Sequence, residues 1–406
     1  MSNGGVSRRD FLKIGAAAAA VGAVAPRIFA ADAKPADAAA TAPKLDYRVL
    51  GRTGLKVTTV SLGCMVAPEP VIEKAFDLGI NWFDTANSYK GGKNEEEVGR
   101  VLAGAKRQKA YICTKVRATV NKQPATAAQL MEALEGGLKR LQTDHVDLVL
   151  THGTSSREQI MSEATLEFFR KAKESGKARF VGTSTHTNMT DVVKAATESG
   201  AYDAVLTTYN YNVGKDLREA VAAAKAKGVG IIAMKSQAPV VELMKKHDGE
   251  KKTNPNAPAP KLPFAHEGLA MHEAALKWVL DDANVTCAVP GTRDFDQLTM
   301  NVGLMGKRLG YLDRRRLERY GEATAAAYCS GCGRCAGTCR AGVSIPDIRR
   351  SMMYLSGYGE RKIASDTYRA AAVGAAACAA CGECTARCVN GVALQPILAE
   401  AHRRLA

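Results

Sequence analysis

From residue 46 to residue 310 the chain alternates short apolar, β-branched runs with longer stretches whose apolar residues return every three to four positions. The short runs read TTVSLGCM, NWFDTA, AYICTKV, VDLVLTH, ARFVGTSTH, AVLTTYNYN, GIIAMKS and TCAVPGT, each with the length and composition of a strand. The longer stretches carry the helical period; LMEALEGGLKRL sets Leu130, Leu134, Leu138 and Leu141 on one face. Eight strand–helix units in roughly 250 residues fit an α/β fold, the (β/α)8 TIM barrel. The remainder, residues 311–406, reads as a small α-rich domain.

In such a barrel, sites form at the carboxyl ends of the strands, so the polar residues there are the candidates. Asp84 ends the second strand and Tyr89 follows it, while Lys115 ends the third and His152 the fourth. Singly, each has a structural explanation: a helix cap, a loop aromatic, a rim charge, a core histidine. On three adjacent strand ends they form a constellation.

The second domain is marked by cysteine. Cys329, Cys332, Cys335 and Cys339 follow the spacing Cys-x2-Cys-x2-Cys-x3-Cys, which returns at Cys378, Cys381, Cys384 and Cys388. Such density suits either a disulfide framework or soft-metal ligation. Three thiolates on one tight turn around a single centre favour iron–sulfur ligation. The other three cysteines, Cys64, Cys113 and Cys287, fall in strand runs as core residues, and their odd number argues against full pairing.

Hydrophobic residues at 46% and charged residues at 24% describe a globular chain. The net charge of +15 includes +3 from the first thirty residues. The remaining lysines and arginines are dispersed in small clusters without an aromatic-interleaved basic stripe, so solvated faces are the first reading of each, an acidic electron-transfer protein the second and nucleic acid a distant third. At the N-terminus, SRRDFLK precedes an Ala/Gly/Val run too short for a permanent membrane span, which needs about 20 residues. This segment resembles a twin-arginine signal peptide over residues 1–33, cleaved after Ala30 or Ala33, and 34–45 is an Ala/Pro linker. The resemblance implies passage through the twin-arginine export machinery to a periplasmic or other extracytoplasmic location, already folded around a cofactor.

The segments YRVLGRTGLKVTTVSLG, GINWFDTANSY, ICTKV, HVDLVLTH and VPGTRDFDQLTMN resemble aldo-keto reductases in order and across the whole barrel, 46–310. That resemblance implies reduction of a small carbonyl compound, or oxidation of an alcohol, with NADP(H). Tyr89 would be the proton donor, with Asp84, Lys115 and His152 completing a catalytic tetrad. An ammonium beside a phenol lowers its pKa, a carboxylate keeps the ammonium charged, and the histidine positions the substrate oxygen. Ser184 and Thr185 match residues at the nicotinamide amide, and Gly291, Thr292, Arg293, Gln297 and Asn301 match the grip on the adenosine phosphate. Leu206 and Met234 depart from the family's amide-binding glutamine and stacking aromatic.

Residues 311–406 are similar to bacterial two-cluster ferredoxins. That implies two 4Fe-4S clusters with crossed ligand sets: Cys329, Cys332, Cys335 and Cys388 for one, Cys378, Cys381, Cys384 and Cys339 for the other. Arg340 and Val389 stand where that family has proline, and Arg334, Arg340 and Arg387 flank the cysteines. Gln237 to His266 is a long polar segment, readable as a lid or an insertion. Two functional classes follow: an exported reductase tied by its clusters to a redox partner, or an electron-transfer subunit whose barrel is a binding module.

Overall fold

Twelve short strands carry the fold in the computed structural model, which describes residues 44–120, 123–240, 270–371, 377–378, 381 and 383–406. The N-terminal signal and most of the Gln237–His266 segment lie outside them. The strands are β1 (Tyr47–Val49), β2 (Lys56–Thr58), β3 (Leu62–Gly63), β4 (Trp82–Asp84), β5 (Tyr111–Arg117) and β6 (Thr119–Val120), followed by β7 (Gln123–Pro124), β8 (Val146–His152), β9 (Ala178–Thr185), β10 (Ala204–Thr208), β11 (Gly230–Met234) and β12 (Cys287–Ala288). Eight of them pair in parallel in the order β3-β4-β5-β8-β9-β10-β11-β12, and bridges from Val60 to Ala288 and from Gly63 to Gly291 join the two ends. All eight expected strands are present, and the barrel is the predicted one.

Alternation along each strand decides which side chains enter the barrel. Trp82, Cys113, Leu148, Leu150, Ala204, Leu206, Ile232 and Cys287 fill the interior, while their sequence neighbours face the helical shell. The same parity carries upward: Asp84 tops the column above Trp82, Lys115 the one above Cys113, and His152 the one above Leu150. Sequence period, not any special loop, therefore aims these three polar residues at one mouth.

The helices form as their apolar stripes dictate. Helix Ala127–Leu141 starts with a capping box in which Thr126 accepts from the Gln129 amide, and it buries Leu130, Leu134, Leu138 and Leu141, the expected face. Each such leucine is worth about 2 kcal/mol in surface removed from water.

The β1–β2 hairpin, which no reading of the periodicity singled out, plugs the opposite end of the barrel with Leu50, Leu55 and Val57. Its turn requires Gly51, at φ +50°, because a β-carbon there would stand 2.4 Å from the Gly228 carbonyl oxygen. Cys64, Cys113 and Cys287 are buried and unpaired. Burial pushes all three thiols up, Cys287 to about 12, so they are inert core residues.

After the barrel come helices Tyr311–Ala323, Ile345–Met352, Arg361–Ala370 and Leu394–Leu405, with a π-helical turn at Met353–Tyr358. Among the described residues this C-terminal part contains no strand, in keeping with an α-rich domain. Helix Tyr311–Ala323 packs on the barrel's helical shell through Leu317 and Tyr320, and the cysteine-bearing remainder sits over the barrel mouth. Ala86 and Tyr89 share an apolar cluster with Val343, Ile345, Ile348, Tyr354 and Leu355. The Asn188 amide donates to the Gly331 carbonyl at 3.1 Å, and Arg293 Nη2 donates to the Tyr358 carbonyl at 3.1 Å.

Replacing Leu134 with alanine should lower stability by about 3 kcal/mol, read as a reduced denaturant midpoint, because a fully buried helix–barrel contact is deleted and a cavity left.

Candidate active site and cluster sites

The mouth is organised by one buried ammonium. Lys115 Nζ donates to Asp84 Oδ1 at 2.6 Å, to the Thr85 carbonyl at 2.7 Å and to Tyr89 Oη at 3.3 Å, with 1% of the lysine exposed. Burial, the largest single influence, would discharge it; Asp84, Tyr89 and Cys113 together outweigh that, and its pKa lies above the ordinary lysine value. Burial likewise pushes the Asp84 carboxyl up, while Lys115 pulls it back.

The expectation of an acidified phenol is corrected by this arrangement. Burial under the C-terminal domain raises the Tyr89 pKa by more than Lys115 lowers it, so the net direction is upward. The phenol is firmly protonated at neutral pH. His152 lies edge-on to Tyr89 at 5.9 Å between ring centroids, and its Nδ1 is 3.4 Å from Ser88 Oγ. Burial, then Lys115, Arg117 and Arg350, hold its pKa well below the usual histidine value.

Two further side chains complete the mouth and were not singled out from the sequence. His186, just past β9, packs its ring 6.4 Å from His152 and 6.5 Å from Tyr354, and its Nδ1 is buried without a hydrogen-bond partner. Burial, then Lys235, Arg350, His152 and Lys115, also keep it neutral.

The residues matched to nicotinamide binding fall in two groups. Ser184 Oγ donates to the Thr151 carbonyl and accepts from the Gly153 amide, and Thr185 Oγ1 donates to the Thr187 carbonyl. Leu206 and Met234 occupy the adjoining columns as apolar residues. At the other end, Thr292 accepts from Asn301 at 3.4 Å, Asn301 accepts from Gln237 at 3.1 Å, and the Arg293 amide donates to Gln297 at 3.0 Å. These residues surround the start of helix Phe295–Gly303, capped by Asp294, and Gly291 lies beside Val66. The Thr208 and Ser236 hydroxyls, at the ends of β10 and β11, are buried without partners.

In the C-terminal domain, Cys329, Cys332, Cys335 and Cys388 line one cavity together with Arg349. Burial, with Cys329, Cys332 and Cys388 close by, pushes the Cys335 thiol up to about 11. Cys378 has Cys339, Cys384 and Cys381 as its neighbours in the same way. Arg349 Nε is buried without a hydrogen-bond partner; leaving a buried donor unmatched costs about 1–3 kcal/mol, more for a charged group. Of the three arginines expected beside the cysteines, Arg340 reaches the Cys381 sulfur at 3.4 Å, Arg387 binds the carbonyls of Cys384 and Ala386, and Arg334 turns to Asp216 on the barrel. No three His, Cys, Asp or Glu among the described residues converge tightly enough for a single metal ion. A multi-iron cluster is larger and is held from farther out. Gly331, at φ +76°, lets the first cysteine loop press on the barrel, where a β-carbon would stand 2.6 Å from the His186 carbonyl oxygen.

An unfolded histidine takes up a proton near pH 6.5, whereas folded His152 and His186 resist protonation to lower pH. The stability from keeping them neutral is complete above about pH 6.5 and is lost as pH falls below it, because the unfolded chain then binds more protons. The drop in melting temperature between about pH 7.5 and about pH 5.5 should be smaller in His186→Gln than in the unaltered protein.

Comparison with known proteins agrees with this architecture. A sequence profile of the aldo/keto reductase family matches residues 68–313, a 4Fe-4S dicluster domain matches 328–393, and a TAT (twin-arginine translocation) pathway signal sequence matches 5–25. The chain is 29% identical over 283 residues to L-galactose dehydrogenase of Arabidopsis thaliana, covering 64% of this chain and 88% of that protein. It is 28% identical over 309 residues to a probable aldo-keto reductase of Glycine max, covering 66% and 86%. The holo form of an aldo-keto reductase from Bacillus halodurans shares the fold at a TM-score of 0.55 and 24% identity, over 68% of this chain and 96% of that one. The signal directs export from the cytoplasm, and no helix among the described residues is long and apolar enough to cross a membrane. The chain belongs to the aldo/keto reductase family, and is an exported oxidoreductase whose barrel is joined to a 4Fe-4S dicluster domain.

Proposed function

We propose that the protein reduces a small carbonyl compound with NADP(H), that Tyr89 supplies the proton, and that two 4Fe-4S clusters connect it to an acidic electron-transfer protein. The observation that carries the reading is the single ammonium of Lys115 bonded to both Asp84 and Tyr89 at the barrel mouth.

The residues present fit the nucleotide. The unpartnered Ser236 and Thr208 hydroxyls and the Thr292–Asn301–Gln237 network offer polar atoms to a phosphate-bearing ligand. Thr292, Arg293, Gln297 and Asn301, with Gly291, would hold the adenosine phosphate, and Ser184 and Thr185 the amide. Bound there, the nicotinamide supplies the hydride. Tyr89 Oη passes its proton to the substrate oxygen, and Lys115, kept charged by Asp84, stabilises the phenolate left behind. Neutral His152 and His186 accept or donate hydrogen bonds at the substrate without competing for the proton. Burial keeps the phenol protonated at neutral pH, the form that a proton donor needs.

The cluster sites fit as well. The two quartets, Cys329, Cys332, Cys335 with Cys388 and Cys378, Cys381, Cys384 with Cys339, are each drawn together across the cysteine repeat. Clusters bound there supply one-electron transfer. The other reading, an electron-transfer subunit with the barrel as binding module, draws on the cover that the dicluster domain places over the mouth and on Leu206 in place of an amide-binding side chain.

Tyr89→Phe should cut carbonyl reduction by about 100-fold or more while leaving NADPH binding intact, measured by nucleotide fluorescence; unchanged turnover would remove Tyr89 from the mechanism. Cys388→Ser and Cys332→Ser should each remove the same cluster signal in electron paramagnetic resonance (EPR) spectra, and Cys339→Ser the other.

A further inference from the structure

Helix Ile345–Met352 is a shared wall. Its Arg349 lines the cavity of Cys329, Cys332, Cys335 and Cys388, and the next residue, Arg350, lies over the barrel mouth, with Nη1 3.9 Å from where a β-carbon on Gly153 would be. Arg349 Nε is buried and unpartnered, in a cavity whose other walls supply four sulfurs. At the second quartet the arginine contact is different in kind: Arg340 Nε meets the Cys381 sulfur at an exposed position. All eight cysteines are intermediate in exposure, so solvent contact of the thiols does not by itself separate the two sites. Arg349 is half-buried with its Nε sheltered from water, and a charged donor sheltered in this way is screened less than an exposed one. Hydrogen bonds and positive charge at cluster sulfurs stabilise the reduced, more negative state.

Resting on the cluster reading above, we infer that Arg349 donates through Nε to a sulfide or thiolate of the cluster held by Cys329, Cys332, Cys335 and Cys388, and that this cluster therefore has the higher reduction potential of the two. An external one-electron donor loses an electron, the cluster gains it, and no bond or proton changes. By that higher potential the first electron taken up rests on this cluster, whose first cysteine loop packs on His186 and Asn188 of the barrel. The cluster held by Cys339, Cys378, Cys381 and Cys384 is then the relay, filled second and emptied first.

The test is an anaerobic dithionite titration of the full-length, cluster-loaded protein, followed by EPR with iron and sulfide counted on the same sample. Two separate one-electron steps are expected. Arg349→Gln should lower the first step so that the oxidised-to-reduced ratio at a fixed poise rises about tenfold, about 59 mV for one electron, and leave the second in place. Arg340→Gln should move only the second. If Arg349→Gln loses iron, Cys339→Ala, which keeps the barrel-side cluster alone, should titrate at the higher of the two wild-type potentials. Coincident steps in the wild type, a shift confined to the second step in Arg349→Gln, or a lower potential in Cys339→Ala overturns the inference. Absence of iron after anaerobic reconstitution would instead remove the clusters themselves, a failure distinguishable from equal potentials.

Discussion

A charged lysine with 1% of its surface exposed is the constraint around which the rest is arranged. Removing an ammonium from water costs several kcal/mol, and the cost is offset only by close, well-aimed partners. Lys115 finds them on the adjacent strand and just beyond it: the Asp84 carboxylate, the Thr85 carbonyl and the Tyr89 hydroxyl. The β4–β5 register that sets Asp84 beside Cys113 is thus the register that keeps the lysine charged. A one-residue slip would turn either strand's polar end into the helical shell.

The dicluster domain changes what that constellation is. Lys115 draws the Tyr89 pKa down, and burial, to which the neighbouring Tyr354, Leu355 and Ile348 contribute, raises it by more. The same cover keeps two histidines neutral and brings Arg350 toward them. Among the described residues the cover is anchored by the Asn188–Gly331 and Arg293–Tyr358 hydrogen bonds, the Arg334–Asp216 pair, the His186–Tyr354 ring contact and the apolar cluster. Arg293, the residue that the resemblance matches to a nucleotide phosphate, here donates its side chain to the Tyr358 carbonyl of the dicluster domain.

Much of this was legible in the sequence. Runs such as VDLVLTH are buried on both faces and so read as unbroken apolar strands, and the inward parity of Asp84, Lys115 and His152 follows from them. The cysteine repeat marked the second domain, because its spacing has few other uses. The β1–β2 hairpin escaped notice because three-residue strands carry almost no period. His186, Arg349, Arg350 and Tyr354 escaped for a different reason: their environment is made by contact between segments far apart in the chain, and two adjacent arginines on an amphipathic helix look like any solvated face. The direction of the Tyr89 shift is not legible in the sequence, because neighbouring charge can be read from a motif, whereas burial cannot.

The pH dependence of carbonyl reduction under single-turnover conditions reads out the protonation of Tyr89 over Lys115. With the phenol raised above its ordinary value near 10 and the mouth histidines held below theirs near 6.5, the rate should be level from about pH 7 to about pH 10. An inflection inside that interval would mean that the donor titrates there, as a Tyr89 acidified by Lys115 would, and would contradict a phenol whose pKa burial has raised.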